Sequence, residues 1–243
     1  MTSHQIVSPQ EWLAARRDLL AKEKRFTEMR DEINAERLAL PWVKIEKEYL
    51  FDTETGKRSL GDLFAGRSQL MIYHFMLGPD WEAGCPSCSF VADHFGGALV
   101  HLNHHDVTLM AVSRAPIAKI AAYRKRMGWT FPWVSAFAND FNQDFHVSFS
   151  AEELAGDKVF YNFAPMEAKD AYSELPGLSA FFKDGNGDIY HTYSTYTRGL
   201  EELVGTFMIL DRAPKGRNED TIMDFVRRHD EYETSPPAQS CCA

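Results

Sequence analysis

The stretch QLMIYHFML–GPDWEAG–CPSC, residues 69–88, runs from an apolar segment through a short loop into two cysteines. Gln69 to Leu77 is apolar and aromatic and is bounded by turn residues. It reads as a strand buried on both faces, of the kind that central parallel sheets use. Gly78 to Gly84 reads as a loop. Cys85-Pro86-Ser87-Cys88 then opens a segment, to about Leu102, that fits a helix, and Pro86 suits its first helical position. Val107 to Val112 is a second buried strand, Ile117 to Met127 an amphipathic helix ended by Gly128, and Phe131 to Val134 a short extended piece. The pattern β-loop-α-β-α-β is that of an α/β sheet with crossover helices.

On the N-terminal side, Ser8-Pro9-Gln10-Glu11 is a helix start: Ser8 can cap, Pro9 suits the first position, and Glu11 completes a capping box. Trp12, Leu19, Phe26 and Ile33 recur every seven residues, with Leu13, Leu20 and Met29 beside them. This apolar stripe lies on a long, heavily charged helix ending before Pro41. It is expected to pack on the main domain, with a homodimer contact as the alternative. Tyr49 to Phe51 reads as a strand, Asp52 to Gly56 as a turn and Ser59 to Phe64 as a short helical turn.

On the C-terminal side, residues 139–157 read as irregular and aromatic. Leu178 to Phe182 and Ile189 to Tyr193 flank Asp184-Gly185-Asn186-Gly187-Asp188, a hairpin signature. The alternating acids there lack the Gly and the closing Glu of a calcium loop. Leu200 to Leu210 is expected to form the last helix, and the Ser-, Pro- and Ala-rich end reads as a disordered tail. The organisation that follows is a helical extension over 1–40, an α/β domain over 41–230 and a tail over 231–243.

The chain has 243 residues and a net charge of −9. An acidic chain repels phosphate backbones and anionic lipid, which argues against nucleic acid and membrane surfaces as partners. No signal-like segment opens it, so the expected location is the cytoplasm. Four cysteines form two local pairs, Cys85 with Cys88 and Cys241 with Cys242. In a reducing compartment such pairs are catalytic or metal-binding more often than structural.

The chemistry of Cys85 and Cys88 follows from their placement. A free thiol has a pKa of roughly 8.5 and reacts as the thiolate. A helix N-terminus offers unpaired N–H groups and the positive end of the macrodipole, which stabilise that thiolate. Cys85 is therefore expected to be the nucleophile. Cys88, one turn on, is expected to resolve the mixed disulfide. Half of a zinc site is the first alternative, but it lacks a second CxxC or a close His pair. Two inert buried cysteines are the other.

At these residues the chain resembles the DUF899 family of bacterial proteins, placed in the thioredoxin-like superfamily. The resemblance runs from the N-terminal helix to about Asp220. It is carried by YHFM (73–76), GCPSCSF (84–90), DFNQDF (140–145), HTYSTY (191–196) and LDRAPKGR (210–217). It implies a thioredoxin-like fold, with a central mixed sheet flanked by helices, and a dithiol–disulfide oxidoreductase. Cys-Pro-x-Cys is similar to the motif of glutaredoxins and DsbA-type oxidants, so Pro86 and Ser87 leave the direction of electron flow open. Two departures stand out. Thioredoxins carry Trp directly before the first Cys, where this chain has Gly84, with Trp81 further back. They also place a cis-Pro before the strand that faces the dithiol. Pro176 is the nearest candidate, and its isomer is left open. The Thr and Pro that frame a peroxiredoxin's reactive Cys are not found upstream of Cys85.

Three further features complete the reading. His101, His104 and His105 fall at a helix end, where the dipole favours imidazolium, and lie ~20 Å from the cysteines at 1.5 Å per residue. Trp81, Trp133 and Tyr193 are candidates for the walls of a cleft beside the dithiol. Cys241 and Cys242 receive no role. The expected partner is a disulfide-containing protein or a small thiol, and no cofactor or bound metal is called for. The competing functions are copper-chaperone-like metal binding and a redox-sensitive scaffold without turnover.

Overall fold

The computed structural model describes residues 4–232. The chain divides into two units between Pro41 and Trp42. The first is helix α1, Pro9–Ala39. Ser8 caps it through the reciprocal bonds expected: its side chain accepts from the Glu11 amide, and the Glu11 carboxylate accepts from the Ser8 N–H at 2.9 Å. No residue of α1 is buried, and Trp12, Leu19, Phe26 and Ile33 are exposed. Arg16, Glu23 and Arg30 stand four residues after Trp12, Leu19 and Phe26, so charges share the stripe's own face, and Arg16 pairs with Glu23 at 2.7 Å.

The second unit is built on an eight-stranded sheet. Its strands are β1 (Val43–Lys44), β2 (Leu50–Thr53), β3 (Gly56–Ser59), β4 (Gln69–His74), β5 (Val107–Ser113), β6 (Trp133–Ser135), β9 (Gly177–Lys183) and β10 (Ile189–Tyr196). Strands β7 (Lys158–Tyr161) and β8 (Ala164–Glu167) form a separate pair. The spatial order is β1-β10-β9-β4-β5-β6-β2-β3. β4, β5 and β6 run parallel, β9 lies antiparallel on the other side of β4, and β9 and β10 form the expected hairpin. At its turn Asp184 Oδ1 accepts from the amides of Asn186 and Asp188, and Gly187 takes φ +90°. A mixed sheet of this order, flanked by helices, is the thioredoxin-like architecture that the resemblance implies.

Burial explains why β4 reads as a continuous apolar run. Leu70 and Ile72 face one core with Phe51, Val112, Phe141, Phe145 and Phe181. Tyr73 faces the other, with Phe75, Cys88, Phe90, Phe95, Trp133 and Phe207. Each such large apolar side chain contributes about 1.5–3 kcal/mol when removed from water. Helix α2 (Leu60–Leu63) and helix α6 (Phe141–Asp144) serve the first core. Helices α3 (Pro86–Ala92), α5 (Ile117–Arg126) and α8 (Gly205–Leu210) serve the second.

Three expectations are corrected. The helix from Pro86 does not reach Leu102. It stops at Ala92, passes through a 3-10 turn at Gly96–Ala98 and resumes as α4, Leu99–His104. Gly96 and Gly97 each weaken a helix interior by about 1 kcal/mol, and His94 Nδ1 takes up the Phe90 carbonyl at 2.7 Å. The final helix is split likewise: Thr197–Leu203 is 3-10, and α8 follows after Val204 leaves helical geometry at ψ 89°. Residues 139–157 contain two short helices, α6 and α7 (Ala151–Ala155). The second is capped by Ser150 with Glu153 in a capping box. Among the described residues, no helix is long and apolar enough to cross a membrane.

A buried polar chain ties β4 to its neighbours. His74 Nδ1 meets Asn142 Oδ1 at 3.2 Å, and its Nε2 meets Ser179 Oγ at 2.9 Å. Burial lowers the His74 pKa from 6.5 to about 4. The folded state thus disfavours the proton that the unfolded chain accepts below pH 6.5. Stability is full above that pH and falls as the pH drops towards 4. The loss is a few kcal/mol at most, on the order of 1.4 kcal/mol for each tenfold difference in proton affinity between the two states. Urea unfolding between pH 7 and pH 4 should show this loss, and His74→Gln should flatten it; an equal slope in both proteins would contradict it.

Candidate active site

The loop after β4 turns the chain back on itself. Trp81 N–H donates to the Gly78 carbonyl at 3.3 Å, and the Cys85 N–H donates to the Met76 carbonyl at 3.1 Å. That second bond fixes Cys85 as the N-cap of α3, with φ −55° and ψ 132°. Pro86 stands at the first helical position, as the sequence predicts. The Cys85 carbonyl accepts from the Ser89 amide at 2.9 Å and from the Ser89 hydroxyl at 2.8 Å. Ser89 Oγ is also 2.8 Å from the Tyr123 hydroxyl.

Both thiols are free. Cys85 is partly exposed, whereas Cys88 is 1% exposed within the core. The Cys88 thiol donates to the Cys85 sulfur, and this is the largest influence lowering the Cys85 pKa, to about 6. Burial opposes the shift. The backbone N–H groups of Cys88 and Ser87 and the charge of Arg228 add to it. Cys88 moves the other way: burial, then its bond to Cys85, pushes its thiol well above the ordinary value.

Gly84 explains the first departure from the thioredoxin pattern. A Cβ there would lie 2.6 Å from Phe75 Cε1 and 2.7 Å from Tyr123 Cε1. Two aromatic rings occupy the space that a Trp would need. Gly84 serves a second purpose, because its carbonyl accepts from Arg228 Nε at 2.9 Å and Nη2 at 2.7 Å. Arg228 is held in turn by Glu231, which also pairs with Arg126. The sequence placed Glu231 in the tail, but the residue is engaged at the site. Residues 233–243, including Cys241 and Cys242, lie outside the described residues.

The supporting residues are distributed unevenly. Ser87, Cys88 and Pro176 share the wall of a cavity of about 260 Å³, together with Met76, Leu200 and Phe207. No described peptide bond is cis, so Pro176 is trans. The Tyr161 hydroxyl donates to its carbonyl at 2.6 Å. Trp81 does not line this cavity; it packs on Gly78, and its carbonyl accepts from Lys119 Nζ at 3.0 Å. Trp133 is buried core, its Nε1 donating to Ser113 Oγ at 3.0 Å, and Tyr193 lies on β10 away from the cavity. None of the three lines this cavity. All three read as wall candidates only because aromatic residues look alike in sequence, whether they line a cleft or fill a core. His101, His104 and His105 sit at the end of α4 and just beyond it. Among the described residues, no group of three or more His, Cys, Asp or Glu is arranged to hold a metal ion.

Arg228 is the side chain beside Cys85 that sequence reasoning missed. It lies 144 residues from Gly84, in a charged run that no local pattern connects to the dithiol. Arg228→Gln removes a positive charge and two hydrogen bonds beside Cys85. The pH at which iodoacetamide begins to alkylate Cys85 should rise, and the rate at pH 6 should fall roughly threefold or more. An unchanged profile would show that Arg228 does not act on this thiolate.

Several solved structures are similar to this chain. One is the peroxidoxin BcpB of Mycobacterium tuberculosis, at 13% identity over 70% of this chain and 97% of that one, with a TM-score of 0.45. Another is a peroxiredoxin Q of Xanthomonas campestris, at 12% identity over 65% and 87%, with a TM-score of 0.45. A mitochondrial 2-Cys peroxiredoxin of Plasmodium falciparum has 15% identity over 70% and 94%, with a TM-score of 0.40. No curated protein matches the chain. The family model described as "bacterial protein of unknown function (DUF899)" matches residues 1–232, and the chain belongs to that family.

Proposed function

We propose that Cys85 and Cys88 form a thiol–disulfide exchange centre, with Cys85 as nucleophile and Cys88 as resolving thiol. One observation carries this reading: two free thiols one helical turn apart are driven in opposite directions, Cys85 towards the thiolate at a partly exposed helix start and Cys88 towards the neutral thiol in the core.

The Cys85 thiolate attacks one sulfur of a substrate disulfide. A Cys85–substrate disulfide forms, the substrate S–S bond breaks, and the first substrate thiolate leaves and takes up a proton. Cys88 then loses its proton and attacks the Cys85 sulfur. The Cys85–Cys88 disulfide forms and the second substrate thiolate leaves, taking up a proton in turn. The substrate disulfide is reduced by two electrons and the dithiol is oxidised by two. A second dithiol restores the reduced pair by the reverse sequence. The substrate is a disulfide in a protein or a small thiol compound. The apolar cavity beside Ser87 and Pro176 offers a seat for the group flanking that disulfide.

Trapping tests the assignment, with Cys241 and Cys242 replaced by Ser. Cys88→Ser should accumulate mixed disulfides with a small disulfide such as hydroxyethyl disulfide, and its coupled turnover should drop to background. Cys85→Ser should form no such adducts. Full turnover in both variants would refute these roles.

A further inference from the structure

Tyr73 belongs to the surroundings of the dithiol, yet the exchange reading leaves it unused. It lies on β4 beside His74, faces the same core as Cys88 and borders the same cavity. Its side chain is fully buried, and its hydroxyl has no hydrogen-bond partner among the described residues. Buried phenols ordinarily find a partner, and an orphaned one is costly. Its polar neighbour is the Cys88 sulfur: Cys88 pushes the phenol's pKa up, and the phenol, as a donor to the thiolate, acts to draw the thiol's pKa down. Cys85 and Tyr161 are the other titratable groups that act on Tyr73.

A neutral thiol is a weak acceptor, so Tyr73 gains little from Cys88 in the resting protein. A thiolate is a strong acceptor, and a hydrogen bond to it is charge-assisted. The partner missing from the resting state is therefore created when Cys88 ionises. That event is also the one that burial opposes and that resolution requires.

We propose that the Tyr73 hydroxyl donates a hydrogen bond to the Cys88 thiolate and so speeds resolution of the mixed disulfide. The proposal rests on the exchange reading above. In the step, Cys88 gives up its proton to solvent, its sulfur bonds to Cys85 Sγ, and the substrate thiolate departs and takes a proton from solvent. Tyr73 keeps its own proton throughout. Its hydrogen bond strengthens as Cys88 ionises and weakens again as the new S–S bond consumes the charge.

The test uses the full chain with Cys241 and Cys242 replaced by Ser, and 5,5′-dithiobis(2-nitrobenzoate) as the disulfide. Attack by Cys85 releases one nitrothiolate, and resolution by Cys88 releases a second. Tyr73→Phe should leave the first phase unchanged and slow the second about tenfold, the weight of a hydrogen bond to a charged group. It should also leave the thermal midpoint of the reduced protein unchanged or raise it, because the oxygen removed is unpaired in that state. An undiminished second phase would overturn the proposal, as would a lowered midpoint, which would show that the hydroxyl already serves the resting fold. Absence of the second phase in the parent protein would instead overturn the exchange reading itself.

Discussion

The Cys85 N–H donates to the Met76 carbonyl at 3.1 Å, and the placement of the dithiol hangs on this bond. It closes the loop from Gly78 to Gly84 and starts α3 directly beyond the end of β4. β4 cannot shift to accommodate another start, because it is paired on both sides, in parallel with β5 and antiparallel with β9. Phe75 and Tyr123 leave no room for a side chain at position 84, so the backbone itself passes between the rings. Arg228 grips the carbonyl exposed there with two hydrogen bonds. The helix start, the loop and the C-terminal segment thus meet at one peptide group beside the Cys85 sulfur.

That arrangement makes two chemically different sulfurs from one residue type. Cys85 has backbone amides, a guanidinium and a neighbouring thiol to favour its charge, against partial burial. Cys88 has the core around it, and burial outweighs the groups that would help it ionise. The asymmetry is what the proposed exchange requires, a thiolate at Cys85 and a neutral thiol at Cys88. The apolar cavity and the unpartnered Tyr73 hydroxyl lie on the Cys88 side.

Much of this was legible in the sequence. A buried central strand declares itself by an unbroken apolar run, and Gln69 to Leu77 did so, although the strand itself ends at His74; its Leu70/Ile72 and Tyr73 faces then sorted into the two cores. The capping box at Ser8, the hairpin at Asp184 and the Pro86 start are local signals with local causes. Features decided by distant packing were not legible. The stop at Ala92 depends on His94 as well as on two glycines. Trp133 carries no mark that separates core from cleft. Arg228 reaches the site only because the chain returns to it 144 residues later. The trans state of Pro176 likewise has no sequence signature.

Reversible exchange of Cys85 and Cys88 between dithiol and disulfide underlies the proposed chemistry. The most direct measurement is an equilibrium redox titration of the protein with Cys241 and Cys242 replaced by Ser, quenched by alkylation and read by intact mass. A single two-electron transition is expected, in which both alkylation sites disappear together, with an intramolecular Cys85–Cys88 bond in the oxidised form. Thiols that stay alkylatable across the whole range of potentials, or that oxidise only between molecules, would contradict it.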